Sequence, residues 1–348
     1  MFCTNCGAKN ADGAKFCTGC GAPLISSASV SNSQQQAPAR PISPAPEPPQ
    51  PRGRKSKARV VIPVLAAVII VAAVAVAAVF ANGFDLFGVP VRATVNDYSW
   101  EELSRISAQI SACSSQEEAL EVAKSYNLTD PNGTLDGTQV KQIELTDGTT
   151  TEVQILGFYH DEKSDGSGKA GISFMFADAI GQHAMNSNGT TEGGWANSEI
   201  RTWMNSELIT LLPEDLQSQI VEVDKLTNSV GFTADPSSVI PTSDKLWLLS
   251  QKEIVGSSDG TNPSYFGALD AEGSQYQVFS DSEAFRGNPL PLLQKKSANT
   301  TGVSPIWWWQ RSSAADFATN FFCTTDAGDG FAAAEANAQL YVSPGFCL

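Results

Sequence analysis

The chain has 348 residues, enough for two or three domains, and 42% of them are hydrophobic. Eight basic and two acidic residues precede Asn82, a net charge of +6, whereas 14 basic and 35 acidic residues follow, a net charge of −21. The acidic part repels nucleic acid and anionic lipid head groups, so we exclude nucleic acid as a partner. Solubility explains the charge most simply, and attraction of cations or basic partners is the alternative.

The first 24 residues contain two Cys-x-x-Cys pairs, Cys3/Cys6 and Cys17/Cys20. Two such pairs supply the four thiolates of a tetrahedral Zn²⁺ site, and a unit this small needs the metal to fold. Disulfides and free thiols are the alternatives. The segment resembles the short zinc ribbons at the N-termini of many bacterial membrane proteins. We predict a ribbon over residues 1–24 with one structural ion and no open catalytic position.

Residues 25–59 are rich in Ser, Gln, Pro and Ala and end in a basic cluster. We expect a disordered tether, with a proline-rich docking motif as the alternative. Residues 60–81 contain no charged side chain. About 20 apolar residues cross a hydrocarbon core of about 30 Å, so we predict a transmembrane helix there, with the lipid bilayer as its partner. A cleavable signal peptide fits poorly, because 59 residues precede the apolar run.

The basic cluster before residue 60 predicts the orientation of this span. Positively charged flanks remain in the cytoplasm. We therefore expect a single-pass cell-membrane protein with a cytoplasmic N-terminus and an extracellular C-terminal domain. A cytoplasmic protein could then bind the zinc ribbon.

Residues 95–130 have the pattern of a helical hairpin. Ser99-x-x-Glu102 and Ser115-x-x-Glu118 have the spacing of helix N-terminal caps, and apolar residues recur on one face after each. The hairpin is either a stalk or a small module against which the main domain packs.

Residues 138–348 combine short strands and short helices separated by long loops, which predicts one α+β domain. We expect one helix capped by Asn197 or Ser198, a second that starts near Ser250, and a short one at Leu212-Pro213-Glu214. The segments that favour strands are Val153–Phe158, Ile172–Phe176, Val221–Val223, Pro305–Arg311, Asn320–Thr325 and Leu340–Leu348.

Four segments of this domain carry a family resemblance. They are Gly194-Trp195-x-x-Ser198-x-x-Arg201-x-Trp203-x-Asn205, Asp244-Lys-Leu-Trp-Leu-Leu-Ser-x-x-Glu253, Trp307-Trp-Trp-x-Arg311-Ser312 and Val342-x-Pro344-Gly345-Phe346. In this order they resemble a family of uncharacterised domains on bacterial surface proteins. That family is distantly similar to the formylglycine-generating enzyme and to C-type lectins. The resemblance implies an extracellular domain with a C-type-lectin-like, or sulfatase-modifying-factor-like, fold.

The residues argue against formylglycine-generating chemistry. That reaction needs two cysteines a few residues apart, upstream of the terminal Gly-Phe, to bind copper. Cys323 lies in this region, but Gly328 stands where the second cysteine is needed, and Cys347 follows the Gly-Phe. We therefore predict no such enzyme. Cys323 and Cys347 either form a disulfide or are two packed free thiols.

Aromatic and basic residues of the motifs are candidates for a ligand surface, namely Trp195, Trp203, Trp308 and Arg311. Core packing is the alternative for the tryptophans, and Arg201 and Arg311 could instead pair with buried carboxylates such as Glu253. Asp326-Ala-Gly-Asp329-Gly is a weak calcium candidate that also has the composition of a turn.

These observations favour a membrane-anchored surface protein whose extracellular domain binds a glycan or protein ligand. The alternatives are a cell-envelope enzyme and a scaffolding or signalling protein that recruits a partner through its zinc ribbon.

Overall fold

The structure is a computed structural model that describes residue 9 and residues 88–256, 263–280, 290–299 and 305–348. The chain divides into two compact units, residues 1–57 and 58–348. Every element described below lies in the second unit. The four cysteines of the predicted ribbon, the linker and the apolar segment 60–81 lie outside the described residues.

The predicted single-pass membrane architecture is wrong for this structure. No helix of the described residues is both long and apolar enough to cross a bilayer. The longest of them has 12 residues, where about 20 are needed. The predicted extracellular location and bilayer partner depended on that architecture, and they are withdrawn with it.

The described helices and strands lie between residues 95 and 347. The helices are α1 (Trp100–Ser111), α2 (Gln116–Ser125), α3 (Glu199–Ser206), α4 (Glu214–Gln217), α5 (Gln251–Val255) and α6 (Pro263–Asp270). Short 3₁₀ helices span Val95–Asp97, Leu208–Leu211, Pro236–Ser238, Gln277–Phe279 and Pro291–Leu293. The strands are β1 (Val140–Glu144), β2 (Thr150–Phe158), β3 (Ile172–Phe176), β4 (Gly181–His183), β5 (Val223–Asn228), β6 (Val239–Asp244), β7 (Trp308–Ser313), β8 (Asn320–Thr324), β9 (Ala332–Glu335), β10 (Leu340–Val342) and β11 (Gly345–Cys347).

The strands form three sheets. The first has the order β1-β2-β3-β11 and is antiparallel throughout. The second has the order β4-β10-β7-β8-β9, in which only β10 and β7 are parallel. The third is the β5-β6 hairpin. Because β10 and β11 are separated by two residues but belong to different sheets, the C-terminal segment connects the two larger sheets.

The predicted helical hairpin is confirmed and belongs to the core. Ser99 and Glu102 form a reciprocal capping box at the start of α1. The Trp100 ring contacts Phe174 and Phe346 edge-on, at centroid distances of 6.0 and 6.1 Å. α1 therefore packs on the first sheet, and the hairpin is a module of this core rather than a stalk.

Two further N-terminal caps are confirmed. The Ser198 side chain accepts a hydrogen bond from the Arg201 N–H at the start of α3. Ser250 and Glu253 form a capping box at the start of α5. These caps place Arg201 and Glu253 in the first turns of their helices, where the macrodipole favours the Glu253 carboxylate.

The two C-terminal cysteines are free thiols. Cys323 lies in β8 of the second sheet, opposite Trp309, whereas Cys347 lies in β11 of the first sheet, opposite Ser173. The Cys323–Cys347 disulfide is therefore not formed, and the alternative of two packed thiols is correct. Both side chains are buried among core residues of their own sheets.

Candidate functional site

The first two sequence motifs meet at a buried carboxylate, Asp244. The Arg201 Nε donates to its Oδ1 at 2.5 Å, and the Trp195 Nε1 and Thr242 hydroxyl donate to its Oδ2 at 3.1 and 2.8 Å. Arg201 also donates to the backbone carbonyl of Ser243. The guanidinium is thus held in one orientation while about a quarter of the side chain remains exposed (26%).

Asn205 ties α3 to the end of β6. Its Oδ1 accepts from the N–H groups of Lys245 and Leu246 at 3.1 and 2.9 Å. Its Nδ2 donates to the Leu246 carbonyl at 2.8 Å. These bonds satisfy backbone groups that would otherwise be buried without partners, so Asn205 positions the chain rather than a ligand.

The second and third motifs meet in a buried ionic cluster, defined as Asp161, Lys225, Glu253, Glu272 and Arg311. Two guanidinium nitrogens of Arg311 contact the two Glu253 oxygens at 2.5 and 3.0 Å, a bidentate pair. The Lys225 Nζ lies 2.6 Å from the Glu253 Oε1 and 2.5 Å from the Asp161 Oδ1. The cluster therefore joins β5, α5, β7 and the loop after β2.

Asp161 reaches the cluster through an unusual backbone turn. Tyr159, just after β2, has φ = 53°, a left-handed conformation that bulky residues rarely adopt. His160 stacks on Tyr276 at a centroid distance of 4.0 Å, and Asp161 points into the core. The Tyr276 hydroxyl, the Ser173 hydroxyl and the Cys347 thiol surround its carboxylate.

Burial and charge act against each other on the acids of this cluster. Burial favours the neutral form, but Lys225 and His160 hold the pKa of Asp161 well below its usual value. Arg311 and Lys225 likewise outweigh burial and lower the pKa of Glu253. Burial raises the pKa of Glu272, which hydrogen-bonds the Ser312 hydroxyl. The carboxylates of Asp161 and Glu253 are therefore paired with Lys225 and Arg311.

The fourth motif packs against the second. The Gly345 N–H donates to the Trp247 carbonyl at 2.7 Å, and the Trp247 N–H donates back to the Gly345 carbonyl at 3.1 Å. A Cβ on Gly345 would lie 2.2 Å from the Trp247 ring, so only glycine fits this approach. The second motif thus contacts each of the other three.

The predicted ligand surface is wrong for three of its four residues. Trp195, Trp308 and Arg311 are fully buried. The two indole N–H groups and the Arg311 guanidinium donate hydrogen bonds to partners within the core. Trp203 is half-buried and stacks on His183 at 4.8 Å. The expected alternative, in which Arg311 pairs with Glu253, is confirmed.

A polar groove lies beside the β5-β6 hairpin. Two depressions of about 610 and 640 Å³ share Glu222, Ser243 and Lys245 and so adjoin each other. The first is closed by the loop after β2 and the second by α3 and Gln217. The basic residues that line the groove are Lys163, Arg201 and Lys245. The acidic residues that line it are Asp165, Glu222, Asp224 and Asp244.

The described residues offer no cluster of three or more His, Cys, Asp or Glu side chains that could bind a metal ion. The weak calcium candidate is a turn, in which the Thr325 N–H donates to the Asp329 carbonyl and Asp329 Oδ1 accepts from the Phe331 N–H. The turn was the alternative to a calcium site.

Residues 171–348 match the family described as "Domain of unknown function (DUF6273)". The chain belongs to this family. Residues 2–24 match the zinc-ribbon domain. Neither the curated proteins nor the solved structures include a significant match. The expected C-type-lectin-like fold is therefore unsupported.

The DUF6273 match begins at β3. It therefore includes the groove walls formed by α3 and by the β5-β6 hairpin, but it excludes Asp161 and the loop after β2. Those residues come from the preceding segment, together with α1 and α2. The sequence signal for Asp161 was weak, since it lies in a run of charged and small residues typical of a solvated loop.

Proposed function

We propose that the DUF6273 domain of this chain is a peptide-binding module whose polar groove holds an extended segment of a protein partner. The observation that carries the proposal is the exposed edge of Arg201 in the groove. Its other face is fixed by Asp244 and by backbone carbonyls, so little side-chain entropy is lost when a ligand binds.

The charges of the groove support a peptide that carries both signs. Lys245 has no ion-pair partner within the described part of the chain, and its side chain is half-buried at the junction of the two depressions. Asp224 and Glu222 lie on the same wall. A ligand with an acidic residue opposite Lys245 and a basic residue opposite Asp224 would match this pattern.

A peptide suits the groove better than a glycan. Among the described residues that line it, none is aromatic. A sugar ring would therefore have no flat apolar face to stack on. The same lining includes no His or Cys, which supports a binding rather than a catalytic role.

The test is selection of peptides from a random display library with the full chain, followed by titration calorimetry of the recovered peptides. We expect peptides with mixed charge, whose binding is weakened at least about tenfold by Lys245→Glu, a loss of about 1.4 kcal/mol. Lys124→Glu, an exposed site on α2, serves as the matched control and should leave binding unchanged. Equal binding by both variants would contradict the proposal.

We also propose that Cys3, Cys6, Cys17 and Cys20 of the zinc-ribbon domain hold one structural zinc ion. The donor set of four thiolates suits zinc and leaves no ligand position for substrate. The ion would supply folding free energy to a segment that has few apolar residues of its own.

A further inference from the structure

We propose that Lys225 and Asp161 become joined by an intramolecular amide bond, with Glu253 as the proton acceptor. The Lys225 Nζ lies 2.5 Å from the Asp161 Oδ1. The carboxyl carbon that the nitrogen would attack is bonded directly to this oxygen. The same nitrogen lies 2.6 Å from the Glu253 Oε1. All three side chains are almost completely buried, at 1%, 3% and 2% exposure.

The lysine is enclosed by two aromatic rings and two carboxylates. Its Nζ lies 4.0 Å from the ring centroid of Trp247 and 5.3 Å from that of Tyr276. Transfer of a proton from the ammonium group to a carboxylate removes two charges from a dry site. The neutral amine is the nucleophile, and the Glu253 carboxylate in contact with the lysine is placed to accept its proton.

Asp161 is surrounded by donors that would stabilise its reacting carbonyl group. The Ser173 hydroxyl donates to Oδ2 at 2.6 Å, and the Tyr276 hydroxyl lies 2.9 Å from the same oxygen. Negative charge develops on a carboxyl oxygen when an amine attacks. Fixed donors at that oxygen lower the barrier because they need no reorganisation.

The step balances without a further reactant. Lys225 gives one ammonium proton to Glu253, its nitrogen attacks the Asp161 carboxyl carbon, and the C–Oδ1 bond breaks. The departing oxygen takes two of the three ammonium protons, one of them returned by Glu253, and leaves as water. The amide keeps the third proton, and Glu253 ends as the carboxylate it was. Contact between the reacting groups replaces a bimolecular encounter.

The net charge of the cluster does not change in the reaction. Before it, Asp161 and Glu253 are matched by Lys225 and Arg311. Bond formation removes one anion and one cation together, and the bidentate Glu253–Arg311 pair remains. The bond would close the segment between residues 161 and 225 into a loop and so restrict the unfolded chain, as a disulfide does.

Mass spectrometry of the purified full chain tests the proposal. We expect a protein lighter than its sequence by the mass of one water molecule, and a tryptic fragment in which the peptides containing Asp161 and Lys225 are linked. Lys295 is the internal control. It is equally buried, but its Nζ contacts the carbonyls of Phe176 and Ala177, so it should remain a free amine.

Two variants identify the reacting groups. Asp161→Asn should lose ammonia instead of water, and Glu253→Gln should leave Lys225 and Asp161 unlinked. Because substitution in a buried cluster can unfold the domain, the wild-type measurement alone is decisive. Recovery of separate, unmodified Asp161 and Lys225 peptides from folded protein would overturn the proposal and leave an ordinary buried ion pair.

Discussion

The buried pair of Arg311 and Glu253 predicts a large loss of stability when one partner is removed. Besides Glu253, the guanidinium donates to the carbonyls of Leu248 and Leu226. Arg311→Met would leave the buried carboxylates of Glu253 and Asp161 to share Lys225, and we expect the free energy of unfolding to fall by about 3–5 kcal/mol. Urea denaturation at neutral pH measures this change.

The control for that substitution is Arg105→Met. Arg105 pairs with Glu101 on the exposed surface of α1, where both side chains are more than half exposed. Exposed pairs of this spacing contribute about 0.3–0.5 kcal/mol. Similar losses for the two variants would show that the cluster does not support the fold.

Lys295 predicts a pH-dependent stability. Burial lowers its pKa from 10.5 to about 7, and Asp178 offsets only part of the effect. Between these values the unfolded chain binds a proton that the native state lacks, so stability rises with pH in this window and is flat below it. The stability of Lys295→Met relative to wild type should therefore fall as pH rises, by up to about 1.4 kcal/mol per unit.

Denaturation at about pH 7.5 and about pH 9.5 measures this slope within the window set by the two pKa values. The lost hydrogen bonds to Phe176 and Ala177 add a penalty that does not change with pH. Lys124→Met, an exposed site, should show no comparable slope. A pH-independent difference between Lys295→Met and wild type would mean that Lys295 stays charged in the fold.

Single residues were predictable from sequence when their role is local. The capping serines and the Arg311–Glu253 pair follow from spacing and charge. Asp161 and Lys225 could not be anticipated, because the residues between them, 162–224, separate them in sequence and only the fold brings them together. Charged residues usually remain exposed, so each alone suggested solvent.

Gly345 in β11 shows how one element depends on another. Gly345→Ala would place a methyl group 2.2 Å from the Trp247 ring, and overpacking of this kind typically destabilises by about 1–3 kcal/mol. A double-mutant cycle with Trp247→Phe measures the clash. Since the smaller ring leaves room, Gly345→Ala should be less destabilising in that background. If the two substitutions change the free energy of unfolding additively, the destabilisation by Gly345→Ala does not come from a clash with the Trp247 ring.

At the scale of elements, helices with N-terminal caps and apolar strands were predictable, whereas several strands were not. β6 contains Pro241 and exposes Ile240 and Ser243, and β9 is mostly alanine. Such segments have weak intrinsic strand preference and are held by their partners, β5 and β8. Their assignment needs tertiary contacts that no local pattern contains.

For the whole molecule, we expect metal removal to affect the two compact units differently. A strong chelator should release zinc from the ribbon and expose residues 1–24 to protease. All seven tryptophans lie between residues 100 and 309, so their fluorescence reports only on the second unit. Its unfolding midpoint should stay unchanged, because the two units are separately compact.

Elemental analysis for zinc and a Cys3→Ser/Cys6→Ser variant complete this experiment. The variant should lack the metal yet unfold at the same denaturant concentration as wild type. A chelator-induced shift of the tryptophan transition would contradict the independence of the units.

At this scale the sequence identified the zinc ribbon, and the long acidic part was correctly read as mixed α and β. The membrane architecture was wrong, since no helix among the described residues is long and apolar enough to cross a bilayer. The ligand surface failed for a different reason. Tryptophan and arginine are common at binding sites, but in this chain Trp195, Trp308 and Arg311 donate hydrogen bonds to partners within the core.

The division of β10 and β11 between the two larger sheets also governs when the domain can fold. A ribosome makes these strands after every other strand described. Until they emerge, β3 lacks one neighbour, and β4 has no connection to β7. Both larger sheets can therefore be completed only after β10 and β11 have been translated. Until then, the strands that pair with them have unpaired edges that chaperones can bind.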